Sequence, residues 1–130
     1  MNPASPPAAP SGDVVIRTIA MPAVANANGD IFGGWLVSQM DLGGAILARS
    51  TALSRVTTVA IDAMSFIHPV CVGDTVSCYA QLVKVGRTSM KISVEAWVHR
   101  FTTSTQQRVT AGLFTYVAIN ADGKPQPVKR

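Results

Sequence analysis

Asp41 stands inside an apolar stretch in which Trp35, Leu36, Val37, Met40, Leu42, Ala45, Ile46 and Leu47 surround it. Apolar positions nearly all round are the pattern of a helix enclosed by its own domain. An unpaired carboxylate in such surroundings costs several kcal/mol or is driven to neutrality. Its neighbours three and four residues away, Ser38, Val37, Gly44 and Ala45, offer no cation, so Asp41 is expected at a cleft and in chemical use rather than on a solvated helix face. Gly33 and Gly34 are expected just before the first helical turn, where bare N–H groups at the positive end of the helix could meet a developing oxyanion. The plainer reading of the same pair is a tight loop with close packing. Asp41 follows Gly34 by seven residues, about two turns or ~10 Å along the axis and on roughly the same side. One helix alone could not offer both a carbonyl site at its start and a water held by Asp41, whereas a partner chain could supply the missing half.

The elements that must position these groups follow from the rest of the chain. At 130 residues it makes one domain with a sizeable core. A hydrophobic fraction of 48% against 14% charged residues, with a mean hydropathy of +0.28, points to extensive burial and to an oligomer. The longest uncharged run, residues 109–121, falls short of the ~18–20 residues of a membrane span. Residues 1–13, MNPASPPAAPSGD, show neither a basic nor an apolar signal region and read as a disordered Pro/Ala-rich lead. Residues 123–130 read as a loose basic tail, which leaves residues 14–122 as the domain. Cys71 and Cys78 match no zinc or redox spacing, so reduced, buried thiols of a cytoplasmic protein are expected. His68 and His99 are isolated and no serine sits in a GxSxG elbow, so neither a metal site nor a serine hydrolase is expected.

The net charge of +4 is carried by the C-terminal part, where Lys84, Arg87, Lys91, Arg100, Arg108, Lys124, Lys129 and Arg130 face only Glu95 and Asp122. That bias suits a phosphate-bearing ligand or plain solubility, while the absence of any nucleic-acid-binding motif argues against nucleic acid. The pattern predicts a strand over residues 14–21, a loop over 22–32, a helix from about 34 to 50, and strands over 56–66, 75–85, 90–101 and 109–120. Gly43 and Gly44, costly inside a helix, imply a backbone crossing closely there. The order β-α-β-β-β-β makes an α+β domain, an antiparallel sheet of about five strands wrapped around one long central helix.

The sequence RTIAMPAVANANGDIFGGWLVSQMDLGGAILA (17–48), the stretch 58–98 containing FIHPVCVGD, and the ending FTYVAINADGK (114–124) resemble the YciA-type acyl-CoA thioester hydrolases, which have the hotdog fold. FIHPVCVGD alone indicates hotdog proteins in general, and NANGDIFGGW followed by QMD indicates this hydrolase group. The resemblance implies hydrolysis of acyl-CoA to free acid and CoA without a cofactor. It makes Asp41 base or nucleophile, has Asn26 hold the water or the carbonyl, and gives the backbone N–H of Gly34, with Gly33, the oxyanion hole. It further implies a homodimer with shared active sites that assembles to a hexamer as a trimer of dimers, with Thr58 lining the site from the partner. Arg87 in the hairpin VGRTS, with Lys84, Lys91, Arg55 and Ser89, are the candidates for the CoA phosphates. A non-catalytic acyl-CoA-binding module is the alternative, disfavoured because the residues before the first strand leave no room for an effector domain. A hotdog hydratase is disfavoured because neither histidine is expected on the loop or helix.

Overall fold

The computed structural model describes residues 9–129, so the expectation of a disordered lead falls mainly on residues 1–8, outside the described part. Five strands form one antiparallel sheet: β1 (Asp13–Ile19), β2 (Arg55–Asp62), β3 (Thr75–Val85), β4 (Ser89–Arg100) and β5 (Thr105–Ile119), in the order β1-β3-β4-β5-β2. The single long helix α1 (Gly33–Ala52) packs against all five strands. This is the expected hotdog architecture.

The sheet curls because one face of each strand is apolar. On β4, Met90, Ile92, Val94, Ala96 and Val98 point at the helix and are buried with Leu36, Met40 and Ala48 of α1. The opposite face of β4 departs from simple alternation. Glu95 and Trp97 are also buried there, and the Trp97 indole donates to Glu95 Oε1 at 2.8 Å, so a polar pair is hidden on the outer face. The N–H of Ser11 reaches the same carboxylate oxygen at 3.4 Å, so the end of the lead lies over this face.

Several boundaries differ from the sequence expectation. β2 stops at Asp62, not 66, because Ala63 turns into the left-handed region at φ 31° and the following residues leave the ladder. β5 begins four residues early, at Thr105, because the β4–β5 turn is closed by Ser104 N–H bonding Arg100 O at 2.8 Å. The tail is not loose over its described part. Gln126 N–H bonds Ala118 O at 2.9 Å, Val128 N–H bonds Arg87 O at 2.9 Å, and Lys129 N–H bonds Ala52 O at 3.3 Å, tying the end of the helix to the β3–β4 hairpin.

The motif FIHPVCVGD has a physical role before any chemical one. Asp74, 2% exposed, accepts from Cys71 N–H at 2.9 Å and takes Arg100 across both oxygens at 3.2 and 3.0 Å. A buried carboxylate is stable there only with those donors. Burial pushes the Cys78 thiol up to about 12, which leaves it an inert core residue, whereas Cys71 is only half-buried.

Candidate active site

α1 starts one residue earlier than expected. Phe32 is its N-cap with no side-chain cap, and Gly33 and Gly34 are its first two residues, in the first turn rather than before it. Both glycines are exposed, and first-turn N–H groups have no partner within their own helix. The loop feeding this turn is built by Asn26. Its Oδ1 accepts from the N–H of Asn28 at 2.9 Å and of Asp30 at 3.2 Å, and its own N–H bonds Asp30 O at 2.7 Å. Gly29, at φ 84°, completes that tight turn. The carboxamide oxygen is thereby committed, and the amide NH2 has no acceptor among the described residues.

Asp41 is not unpaired. Thr58 Oγ1 donates to its Oδ1 at 2.7 Å, and the hydroxyl of Tyr116 lies 3.1 Å from the same oxygen and 2.8 Å from the Asp41 main-chain oxygen. Thr58 is thus held against the aspartate of its own chain, because β2 returns alongside the helix immediately after it. Tyr116 was not among the expected site residues, and the signal for it lay in Gly44. A Cβ at Gly44 would collide with the Tyr116 hydroxyl, and one at Gly43 would stand 2.7 Å from a Val15 methyl. Side chains, not a crossing backbone, occupy the space those glycines leave. Burial, ahead of the Asp41 charge and hydrogen bond, raises the phenol of Tyr116 above its ordinary value, so it remains a protonated donor.

The helix is also not enclosed by its own chain. Leu42 and Ile46 are 57% and 46% exposed, and Val59 and Ile61 of the edge strand β2 are exposed as well. Exposed apolar side chains on the helix and on an edge strand mark a surface that a second chain would cover. Beside Gly33, a cleft of about 230 Å³ is lined by Ile31, Leu36, Phe66, His68, Pro69, Val70 and Val109. His68 thus lines the cleft at the helix start, although, as expected, it lies on neither the 22–32 loop nor the helix.

The expected phosphate-binding residues gather at the other end of the helix. Lys84 and Lys91 are paired in register across β3 and β4, and Arg87 and Ser89 belong to the hairpin joining those strands. Arg55 opens β2 two strands away at the same end, since Ile119 of β5 pairs with Arg55 while Val117 pairs with Ser89. Lysines directly opposite on a sheet repel each other. Among the described residues, no group of three potential metal-ligating side chains occurs, and no helix is long and apolar enough to cross a membrane.

A profile of the thioesterase superfamily matches residues 28–100, more than half of the chain. The chain belongs to that superfamily, and within it to the YciA-type acyl-CoA thioester hydrolases. The acyl-CoA thioester hydrolase YciA of Salmonella typhimurium is 54% identical over 122 residues, covering 92% of each protein. Among solved structures, the hexameric thioesterase y2039 from Yersinia pestis superposes with a TM-score of 0.91 at 50% identity, covering 94% of this chain and all of that one. Cj0915, a hexameric hotdog fold thioesterase of Campylobacter jejuni, superposes with a TM-score of 0.85 at 41% identity over 91% of each chain.

Proposed function

We propose that the protein hydrolyses acyl-CoA thioesters to the free acid and CoA at sites shared between two protomers. The observation that carries this reading is the division of labour along α1. The N–H groups of the first turn lie about two turns, or ~10 Å, from Asp41, and Leu42 and Ile46 are left for a second helix. A partner helix running antiparallel would bring its first turn toward this Asp41. Its relatives y2039 and Cj0915 are hexameric, which supports a trimer of such dimers here.

In the site, the thioester oxygen accepts from Gly34 N–H, with Gly33 beside it, and from the amide NH2 of Asn26. The amide is assigned to the carbonyl rather than to water because its oxygen is already committed to the loop. Asp41 of the other protomer takes a proton from water as the water oxygen bonds to the carbonyl carbon. Collapse breaks the C–S bond, and the departing thiolate keeps the electron pair and receives the proton from Asp41. The negative charge passes through the carbonyl oxygen, where donors from the helix start and Asn26 would stabilise it. The acyl chain enters the apolar cleft beside Gly33, whose ~230 Å³ exceeds the ~150 Å³ cavity that holds benzene. The CoA phosphates meet Lys84, Arg87, Lys91 and Arg55, with Ser89 at the hairpin.

Asp41→Asn tests this directly. It keeps size and removes the base, so kcat for thiol release from acyl-CoA should fall by roughly 10²–10⁴. Turnover near that of the unaltered protein would return Asp41 to a structural role.

A further inference from the structure

Tyr116 is wholly buried, yet its hydroxyl is spent on a single residue. Its one proton is shared between the main-chain oxygen of Asp41 at 2.8 Å and the side-chain Oδ1 at 3.1 Å. A phenol that merely needed an acceptor would be satisfied by one of these. Bridging both ties the orientation of the carboxylate to its own backbone, which fixes a side chain that could otherwise turn among staggered wells. Thr58 donates to the same Oδ1 at 2.7 Å from β2, the edge strand paired with β5, where it stands directly opposite Tyr116. Oδ1 is therefore held by two elements of the sheet, while Oδ2 has no donor among the described residues. Gly44 completes the arrangement, since only a residue without a Cβ leaves room for the hydroxyl. A mid-helix glycine costs stability relative to alanine, so the space it leaves has to serve something.

We propose that Tyr116 is a positioning residue of the hydrolytic site, which with Thr58 locks Asp41 through Oδ1 so that Oδ2 is the oxygen presented to the attacking water. This rests on the reading of Asp41 as the base. A carboxylate free to rotate would spend most of its time pointing elsewhere, and a misplacement of about 1 Å in a catalytic group is enough for a loss of ~10² in rate. The Tyr116 hydroxyl is spent on Asp41, so its loss should act on turnover rather than on binding.

The test compares Tyr116→Phe with Asp41→Asn and the unaltered protein in steady-state thiol release, with assembly checked by size-exclusion chromatography and fold by circular dichroism. Tyr116→Phe should lower kcat by roughly 10- to 100-fold and leave KM within about twofold. Replacing Tyr116 by 3-fluorotyrosine, which keeps the hydroxyl, should hold kcat within about threefold of the natural residue. Gly44→Ala pushes the hydroxyl away from the opposite side and should reproduce the kcat loss, so a poorly assembling Phe variant does not leave the question open. An inactive Asp41→Asn beside a fully active Tyr116→Phe overturns the positioning role alone. An active Asp41→Asn overturns the catalytic reading beneath it.

Discussion

Gly34 gives the sharpest separation between what the fold needs and what the chemistry needs. A Cβ at Gly34 would meet nothing within 4 Å, and its φ is not in the left-handed region. Nothing inside the chain therefore requires glycine there, in contrast to Gly44 and Gly43. Gly34→Ala should relieve the backbone entropy cost of glycine, a gain of up to ~0.5–1 kcal/mol. With an unfolding entropy of about 2.1 cal/mol/K per residue, or ~0.27 kcal/mol/K for a chain of this length, that is a rise in Tm of about 2–4 °C. The methyl group would nonetheless stand where the thioester oxygen must approach, and losing an oxyanion donor costs about 10²–10³ in kcat. The assay is a thermal melt alongside thiol release on the same preparation. Stability that rises or holds while kcat/KM falls at least tenfold is the expected result. Unchanged activity in a stabilised variant would refute the placement of the oxyanion hole at Gly34.

Arg87→Ala should raise KM for CoA esters by about three- to tenfold with kcat nearly constant, since a phosphate contact remote from the reacting carbon acts as uniform binding; an unchanged KM at low and high salt would remove Arg87 from the site. Arg100→Met leaves the buried Asp74 with only the Cys71 N–H. Because Arg100 itself is partly exposed, the loss should be about 1–3 kcal/mol rather than the ~3–5 of a fully buried pair, a fall in Tm of roughly 4–11 °C by the same entropy. A melt displaced by less than about 2 °C would show that Asp74 finds other donors.

The antiparallel sheet around one long helix was legible because its signals are local: turn residues at 73–74 and 86–88, apolar residues at every second position of β4 from Met90 to Val98, and one long apolar helix; the hotdog fold itself was implied by the resemblance. Strand ends were less so, since β2 is stopped by a backbone turn at Ala63 and β5 is extended by the tight β4–β5 turn, and neither has a compositional mark. Asp41 stood out as a charge in an apolar helix, whereas of its partners Thr58 was named only through the resemblance and Tyr116 not at all. Thr58 and Tyr116 come from strands 17 and 75 residues away, and only the return of β2 and β5 across the helix brings them there. The double glycine at 43–44 carried the trace of Tyr116, read in the sequence as room for a backbone and filled in the structure by side chains. The burial of Glu95 and Trp97 on the outer face of β4 was likewise invisible to a pattern that assigns one face to water.

The division of the site between two protomers is the claim on which the rest depends, and mixing two inactive variants tests it. If each site takes Asn26 and Gly34 from one chain and Asp41 from the other, a dimer of an Asn26→Ala chain with an Asp41→Ala chain has one site carrying both substitutions and one carrying neither. Random reassembly makes about half the dimers mixed, each with one intact site of two, so co-refolding should restore roughly a quarter of full activity. No recovery of thiol release, with mixed dimers confirmed by mass spectrometry, would contradict the shared site.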